Sequence, residues 1–284
     1  MAIVLGPNQY GKAEVRLVRV DRAGDHHGLR DLTVGVTLSG ELDATHLTGD
    51  NTGVLPTDSQ KNTVYAFAAG GIRQIEDFGL RLARHFVDSQ PAIHRARISI
   101  EEHHWDRIGP HSFQRDAAQA RTAVVTADGR NAWVVAGLRD LVLLSSTGSE
   151  FRGYVKDRFT TLPETSDRIL ATSVNARWRY TGLDVDWAAS YVDIRASMVA
   201  AFVETYSRSL QQTLYEMGRR VLAEHEAVAE IRLSLPNKHH FLVDLVPFGL
   251  ANEGEVFVAT DRPYGLIEGT VQRDDAPPAG LAWW

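Results

Sequence analysis

The sequence contains no cysteine. That one absence excludes disulfides, thiol nucleophiles, iron–sulfur clusters and cysteine-ligated zinc together. It is compatible with a reducing compartment. Basic runs are missing as well. A net charge of -6 and a pI of about 6.0 argue against a nucleic-acid or membrane-surface partner. No apolar run approaches transmembrane length. The opening MAIVLGPNQYGK breaks at Gly6-Pro7, before a signal-peptide core can form. The closing DDAPPAGLAWW lacks the Ser-Lys-Leu peroxisomal address. The cytoplasm is therefore the expected location. A Gly-rich phosphate loop, a GxSxG elbow and an HExxH helix are also absent, which leaves nucleotide-dependent and serine-hydrolase chemistry without support.

What remains is a chain of 284 residues, 44% hydrophobic and 23% charged, long enough to bury a core without staples. KAEVRLVRV alternates, with Ala13, Val15 and Leu17 on one face and Lys12, Glu14 and Arg16 on the other, as in a half-buried strand. LTVGVTLSG is a second strand that can form a hairpin with it. From Asn62 to Asp88 apolar residues recur at three- and four-residue steps, which predicts one long amphipathic helix. Strands follow at ARISIEEHHW and TAVVTAD.

The second half repeats the order. Strands at Trp133 to Ser145 and near Asn175 to Tyr180 precede a helix from about Tyr191 to His225. AEIRLSL and HFLVDLVPF then supply two more strands. The pattern predicts an α+β chain of two tandem units, 1–131 and 132–284, each an antiparallel sheet with helices on one side. Closure of such sheets into an oligomeric barrel would cover their edges. One long polar stretch, Ser146 to Arg168, interrupts the second strand pair and marks a functional loop.

Five stretches offer chemistry. In LPTDSQKNTVYA, Thr57 and Gln60 have capping-box spacing, and Asp58 or Ser59 equally fits as N-cap. The same helix start is also a cradle for an anion. Lys61 sits in the first turn, where the helix dipole disfavours it. In YGKAEVRL, Lys12 reads either as a solvated edge lysine or as a base whose pKa must then be lowered by its surroundings. In SLPNKHHF, Asn237 and His239 fall two apart and can share a face, either at a plain strand end or at a site for water or oxygen. EEHHW is the best metal candidate, yet two ligands per strand face are too few for a closed zinc site. Arg168 with Gln211 reads either as two surface residues or as donors and an acceptor suited to clamping a flat carbonyl-rich molecule, and Phe151 either as a ring to stack on it or as a plug that anchors the loop.

YGKAEVRL, LPTDSQKNTVYA, FTTLPETSDRIL and SLPNKHHF together resemble the hallmark segments of the urate oxidase (uricase) family, in that family's order and across nearly the whole chain. The resemblance implies a tunnelling fold assembled as a homotetramer, with active sites at subunit interfaces. It implies oxidation of urate by O2 and water to 5-hydroxyisourate and hydrogen peroxide, with no metal, flavin or other cofactor. By the same resemblance Lys12, Thr57 and His239 form a catalytic proton relay. Arg168 and Gln211 hold the polar edges of urate, Phe151 stacks on the purine, and Asn237 holds oxygen or water above the ring. Leu210 and Asp58 meet the ligand through their backbone, with Thr57 and Asp58 arriving from a neighbouring subunit. Two alternatives stay open: a pterin- or purine-acting relative of the same fold, some of which use zinc, and a non-catalytic purine-binding oligomer.

Overall fold

The computed structural model describes residues 1–115 and 119–284. Its centre is one antiparallel eight-stranded sheet in the order β1-β2-β3-β4-β5-β6-β7-β10. The strands are β1 (Tyr10–Asp21), β2 (Gly28–Gly40), β3 (Ile93–Arg107), β4 (Phe113–Ala127), β5 (Ala132–Ser145), β6 (Leu170–Tyr180), β7 (Val228–Pro236) and β10 (Leu266–Gln272). Five helices, α1 (Asp43–Leu47), α2 (Thr57–Ala69), α3 (Ile75–Ser89), α4 (Trp187–Glu204) and α5 (Leu210–Glu224), complete the two α+β halves. No helix is long and apolar enough to cross a membrane among the described residues.

Two separate sheets were expected, and one continuous sheet is found. The tight turn Asp128–Asn131 explains this. Asp128 Oδ1 accepts from the backbone N–H of Arg130 (3.0 Å) and Asn131 (2.7 Å), and β5 folds straight back onto β4. HFLVDLVPF was expected to continue the sheet. Instead β8 (His239–Leu242) leaves it and pairs with β9 (Phe257–Thr260) in a two-stranded ribbon, and β10 takes the place beside β7.

Each long helix expected from periodicity is two helices. Gly70 and Gly71 end α2, with Gly71 at φ 105, a conformation that costs glycine little and other residues much. The second break, Thr205–Ser209, ends where the Ser209 side chain accepts from the Gln212 N–H and starts α5. Apolar spacing survives both breaks, because the paired helices cover the same sheet face.

The core lies between those helices and the sheet. Phe78, Leu82 and Phe86 of α3 and Ile98, Ile100 and Val125 of β3 and β4 are all buried. Leu214, Met217 and Val221 of α5, with Ile231 and Leu233 of β7, form the matching layer. One glycine in each half brings helix and sheet together. A Cβ on Gly79 would stand 2.7 Å from Val125 Cγ2, and one on Gly218 2.6 Å from Val271 Cγ2. Met198 and Met217 are fully enclosed here, at 0% exposure. Near the end of the chain, the Trp283 indole N–H donates to Glu230 (3.2 Å) and the Arg232 guanidinium lies 3.7 Å from the centre of its ring.

Candidate active site

The sequence-predicted residues collect into two groups. The first is built on β1 and the start of α2. The β1 alternation breaks at a bulge between Lys12 and Val15, where Glu14 takes φ 53. The bulge re-aims Lys12. Its register partner is Val36, a core residue, so Lys12 lies on the helix-bearing side of the sheet and not on the opposite polar face that simple alternation gave it. There its charge acts on Asp58. A clasp that sequence reasoning missed fixes the approach. The Tyr10 hydroxyl donates to Leu55 O and accepts from Leu55 N–H, both at 3.0 Å, which ties the turn before α2 to β1.

The start of α2 corrects another expectation. Neither Thr57, Asp58 nor Ser59 is the N-cap: Pro56 is, and no side chain caps the helix. Gln60 is fully buried, reaching Leu55 O at 3.3 Å instead of closing a capping box. The first-turn N–H groups therefore stay open at the positive end of the helix, and the Thr57 hydroxyl has no hydrogen-bond partner among the described residues. The odd placement of Lys61 is also explained. It bonds Asp58 Oδ1 at 2.6 Å, while Asn62 donates to Oδ2 at 3.0 Å. Lys61 thereby holds the Asp58 carboxyl below its ordinary range.

The second group gathers where the polar loop meets α5 and the end of β7. The loop is stapled to the start of α5: Glu150 N–H donates to Ser207 O (2.8 Å) and Ser207 N–H to Gly148 O (3.0 Å). Phe151 is pinned by two backbone bonds with Thr165, at 2.9 and 3.1 Å. Arg168 returns to the same place. Its N–H donates to Ser149 O (2.9 Å), its Nε to Ser149 Oγ (3.2 Å), and its guanidinium stands 5.2 Å from the Phe151 ring centre. Ser149, buried and holding both ends of this arrangement, carried no signal in the sequence beyond its place in the polar stretch. Tyr154 stacks on Phe151 with ring centres 4.8 Å apart and planes 16° apart.

Leu210 and Gln211 open α5, so their N–H groups have no intrahelical acceptor. Gln212 is occupied, its Oε1 accepting from Arg208 N–H at 2.9 Å, whereas Gln211 is exposed with its side chain uncommitted among the described residues. Asn237 bridges to Thr172 on β6, and Lys238 N–H donates to Ala171 O at 2.8 Å, which brings the segment after β7 beside Arg168. Burial and the Arg168 charge hold His239 below the ordinary histidine range. A neutral imidazole there is free to take a proton. Activity that uses it should fade only below a pH of about 6.5, the ordinary histidine value. A pH profile of kcat/KM whose acid limb lies above that value would contradict the assignment. Stability has the same sign. As pH falls through the unfolded value, the unfolded chain takes up a proton that folded His239 refuses, and that stabilisation is lost toward the lower folded value.

EEHHW folds into ion pairs. Glu101 pairs with Arg139 (2.9 Å), Glu102 with Arg30 (2.5 Å), and the His103 ring meets Thr33 (2.9 Å). Among the described residues, no group of three acidic, histidine or cysteine side chains is arranged to hold a metal.

The two groups stay apart within one chain. β1 and β7 are separated by β2 to β6, about 29 Å along the sheet at the usual strand spacing. No hydrogen bond or ion pair joins the groups among the described residues.

Comparison with known proteins gives one answer. The sequence pattern of the family described as Uricase matches residues 8–126 and 134–268. A uricase from Arthrobacter globiformis is 53% identical over 283 residues, covering 99% of this chain and 94% of the relative. A uricase from Dictyostelium discoideum is 37% identical, covering 94% of this chain and 96% of the relative. The crystal structure of uricase from Arthrobacter globiformis superposes with a TM-score of 0.95 at 51% identity, covering 98% of each chain. With the match extending over both halves and through both residue groups, the chain belongs to the uricase family.

Proposed function

We infer that the chain oxidises urate with O2 and water, giving 5-hydroxyisourate and hydrogen peroxide, at a site that two copies of the chain build together. The observation that carries the shared site is the division of the candidate residues into two groups at opposite ends of one sheet. A purine is far too small to span them in one chain. A second copy, turned to set its Lys12, Thr57 and Asp58 against Phe151, Arg168, Gln211 and Asn237, would bring the two groups to one place. In the same reading the chain is two units, 1–131 and 132–284, assembled as a homotetramer in the cytoplasm.

In this reading the substrate is the reductant, and the protein supplies a base, a rigid clamp and a place for oxygen. Arg168 and Gln211 grip the polar edges of urate, and the ring of Phe151 stacks on it. The Leu210 N–H and the open start of α2 at Thr57 and Asp58 present donors to the anion. Lys12, Thr57 and His239 move the second proton off urate. The electron-rich dianion so formed gives up two electrons to O2, which takes two protons and leaves as peroxide. Water held by Asn237 adds its oxygen at C5. One urate, one O2 and one water give one 5-hydroxyisourate and one peroxide.

The test is direct. Purified protein is mixed with urate under air, with no added cofactor, while urate absorbance and peroxide are followed. Equal loss and gain are expected, with and without a strong metal chelator. No turnover would overturn the reading, and turnover abolished by the chelator would favour a zinc-dependent relative.

A further inference from the structure

The start of α2 has no side-chain cap of its own, so other groups fix where Thr57 stands. Two side chains meet at Leu55, two residues before Thr57. The Tyr10 hydroxyl engages both backbone groups of Leu55, its carbonyl and its N–H, at 3.0 Å each. Gln60, one turn into α2, reaches back and donates from Nε2 to the same carbonyl at 3.3 Å. Gln60 N–H also donates to Pro56 O at 3.1 Å. Leu55 is thus held from two sides, by β1 and by the helix that follows it.

Tyr10 is built as an anchor. It stands two residues before Lys12, so one hydroxyl links the strand that carries Lys12 to the turn that delivers Thr57. Between Tyr10 and Lys12, Gly11 lets β1 lie flat on β2: a Cβ there would stand 1.8 Å from Val36 O. The Tyr10 ring packs against the core, and β1 packs beside α2. Burial holds the Tyr10 hydroxyl above the ordinary tyrosine range, so it keeps its proton and serves as a donor, not as a base.

Gln60 shows that the clasp does more than stabilise. Its side chain is fully buried, and its Oε1 has no donor among the described residues. A buried oxygen left so lowers stability. Leucine, of similar size, would fill the place without that penalty. Among the described residues the Gln60 amide bonds only Leu55 O.

We propose that Tyr10 and Gln60 are positioning residues of the urate reaction, which fix Leu55 from two sides and thereby set the place of Thr57. This rests on the role given to Thr57 in the proposed function. Neither residue acts on the substrate itself. A displacement of about 1 Å at a reacting group is enough to lower a rate about 10²-fold. The grip assigned to Arg168 and Phe151 lies in the other residue group and stays as it was.

The test uses the assembled protein and reads kcat with urate, calorimetric binding of a purine analogue that is not oxidised, and the thermal midpoint. Tyr10→Phe keeps the ring and removes the hydroxyl. It should lower kcat at least about tenfold and change analogue binding by less than about threefold. Gln60→Leu should lower kcat in the same sense while the midpoint holds or rises, a combination that a merely structural role would not give. Added to Thr57→Ala, Tyr10→Phe should lower the remaining rate by less than about twofold, because it acts through Thr57. Full kcat in either single variant would overturn the proposal. So would an equal fold loss with and without the Thr57 hydroxyl. Should Tyr10→Phe not fold, Gln60→Leu decides, and a rate loss accompanied by a lowered midpoint counts against the clasp. Failure of the underlying reading looks different: wild-type protein leaves urate unchanged, or Thr57→Ala keeps full rate, and the proposal falls with it.

Discussion

Replacing Lys12 with methionine, or Thr57 with alanine, should lower urate turnover by about 10²–10⁴-fold, the usual worth of a positioned proton-transfer group. Binding of a purine analogue that is not oxidised should change far less. The reason lies in which residues carry which task. In the proposed reading, grip on the ligand belongs to Arg168, Phe151 and the backbone around them, a group with its own staple through Ser149. Lys12 and Thr57 come from the other group, where the bulged β1 packs beside the open start of α2. Removing both should cost little more than removing one, because members of a relay act as a unit. Steady-state rates beside calorimetric binding of the analogue decide the matter. Full rate in both single variants would end the relay assignment.

The second large effect is a gain. Thr57→Ala and Arg168→Ala subunits should each be nearly inactive alone, and should recover activity when unfolded together and refolded as mixed oligomers. If each site takes one group from each of two copies, random mixing leaves about one quarter of sites with both groups native. A site made within one chain would give no recovery, since every chain carries a lesion. Mass measurement of the intact oligomers must show that mixing occurred. Mixed oligomers without recovered activity would sink the shared site.

Much of this architecture was legible in the order of elements. The duplicated pattern of two strands, helices and two strands, the hairpin of β1 and β2, and the long irregular stretch from Ser146 to Arg168 follow from periodicity and composition. What escaped has common physical causes. Periodicity reports which face is apolar, not whether the backbone is continuous, so the breaks at Gly71 and at Thr205–Ser209 were invisible to it. Alternation assumes unbroken pleating, so the bulge at Glu14 moved Lys12 to the other face. Capping-box spacing at Thr57–Gln60 misled because Gln60 was needed in the core, while the same spacing at Ser209–Gln212 went unnoticed and does hold a cap. Ser149 and Tyr10 could not have been singled out. Their importance comes from partners 19 and 45 residues away, a relation that no local pattern encodes.

The absence of cysteine and the sealing of Met198 and Met217 take on another meaning beside the proposed product. An enzyme that releases peroxide with each turnover bathes itself in an oxidant that attacks accessible sulfur first. Here the thiol is missing altogether, and the two interior thioethers sit where peroxide reaches them only if the helices lift off the sheet. Met1, fully exposed, is the one sulfur left in the open, and it lies on a segment that neither residue group uses. The working life of the catalyst is then set by how often the core opens rather than by how many molecules of peroxide it has made.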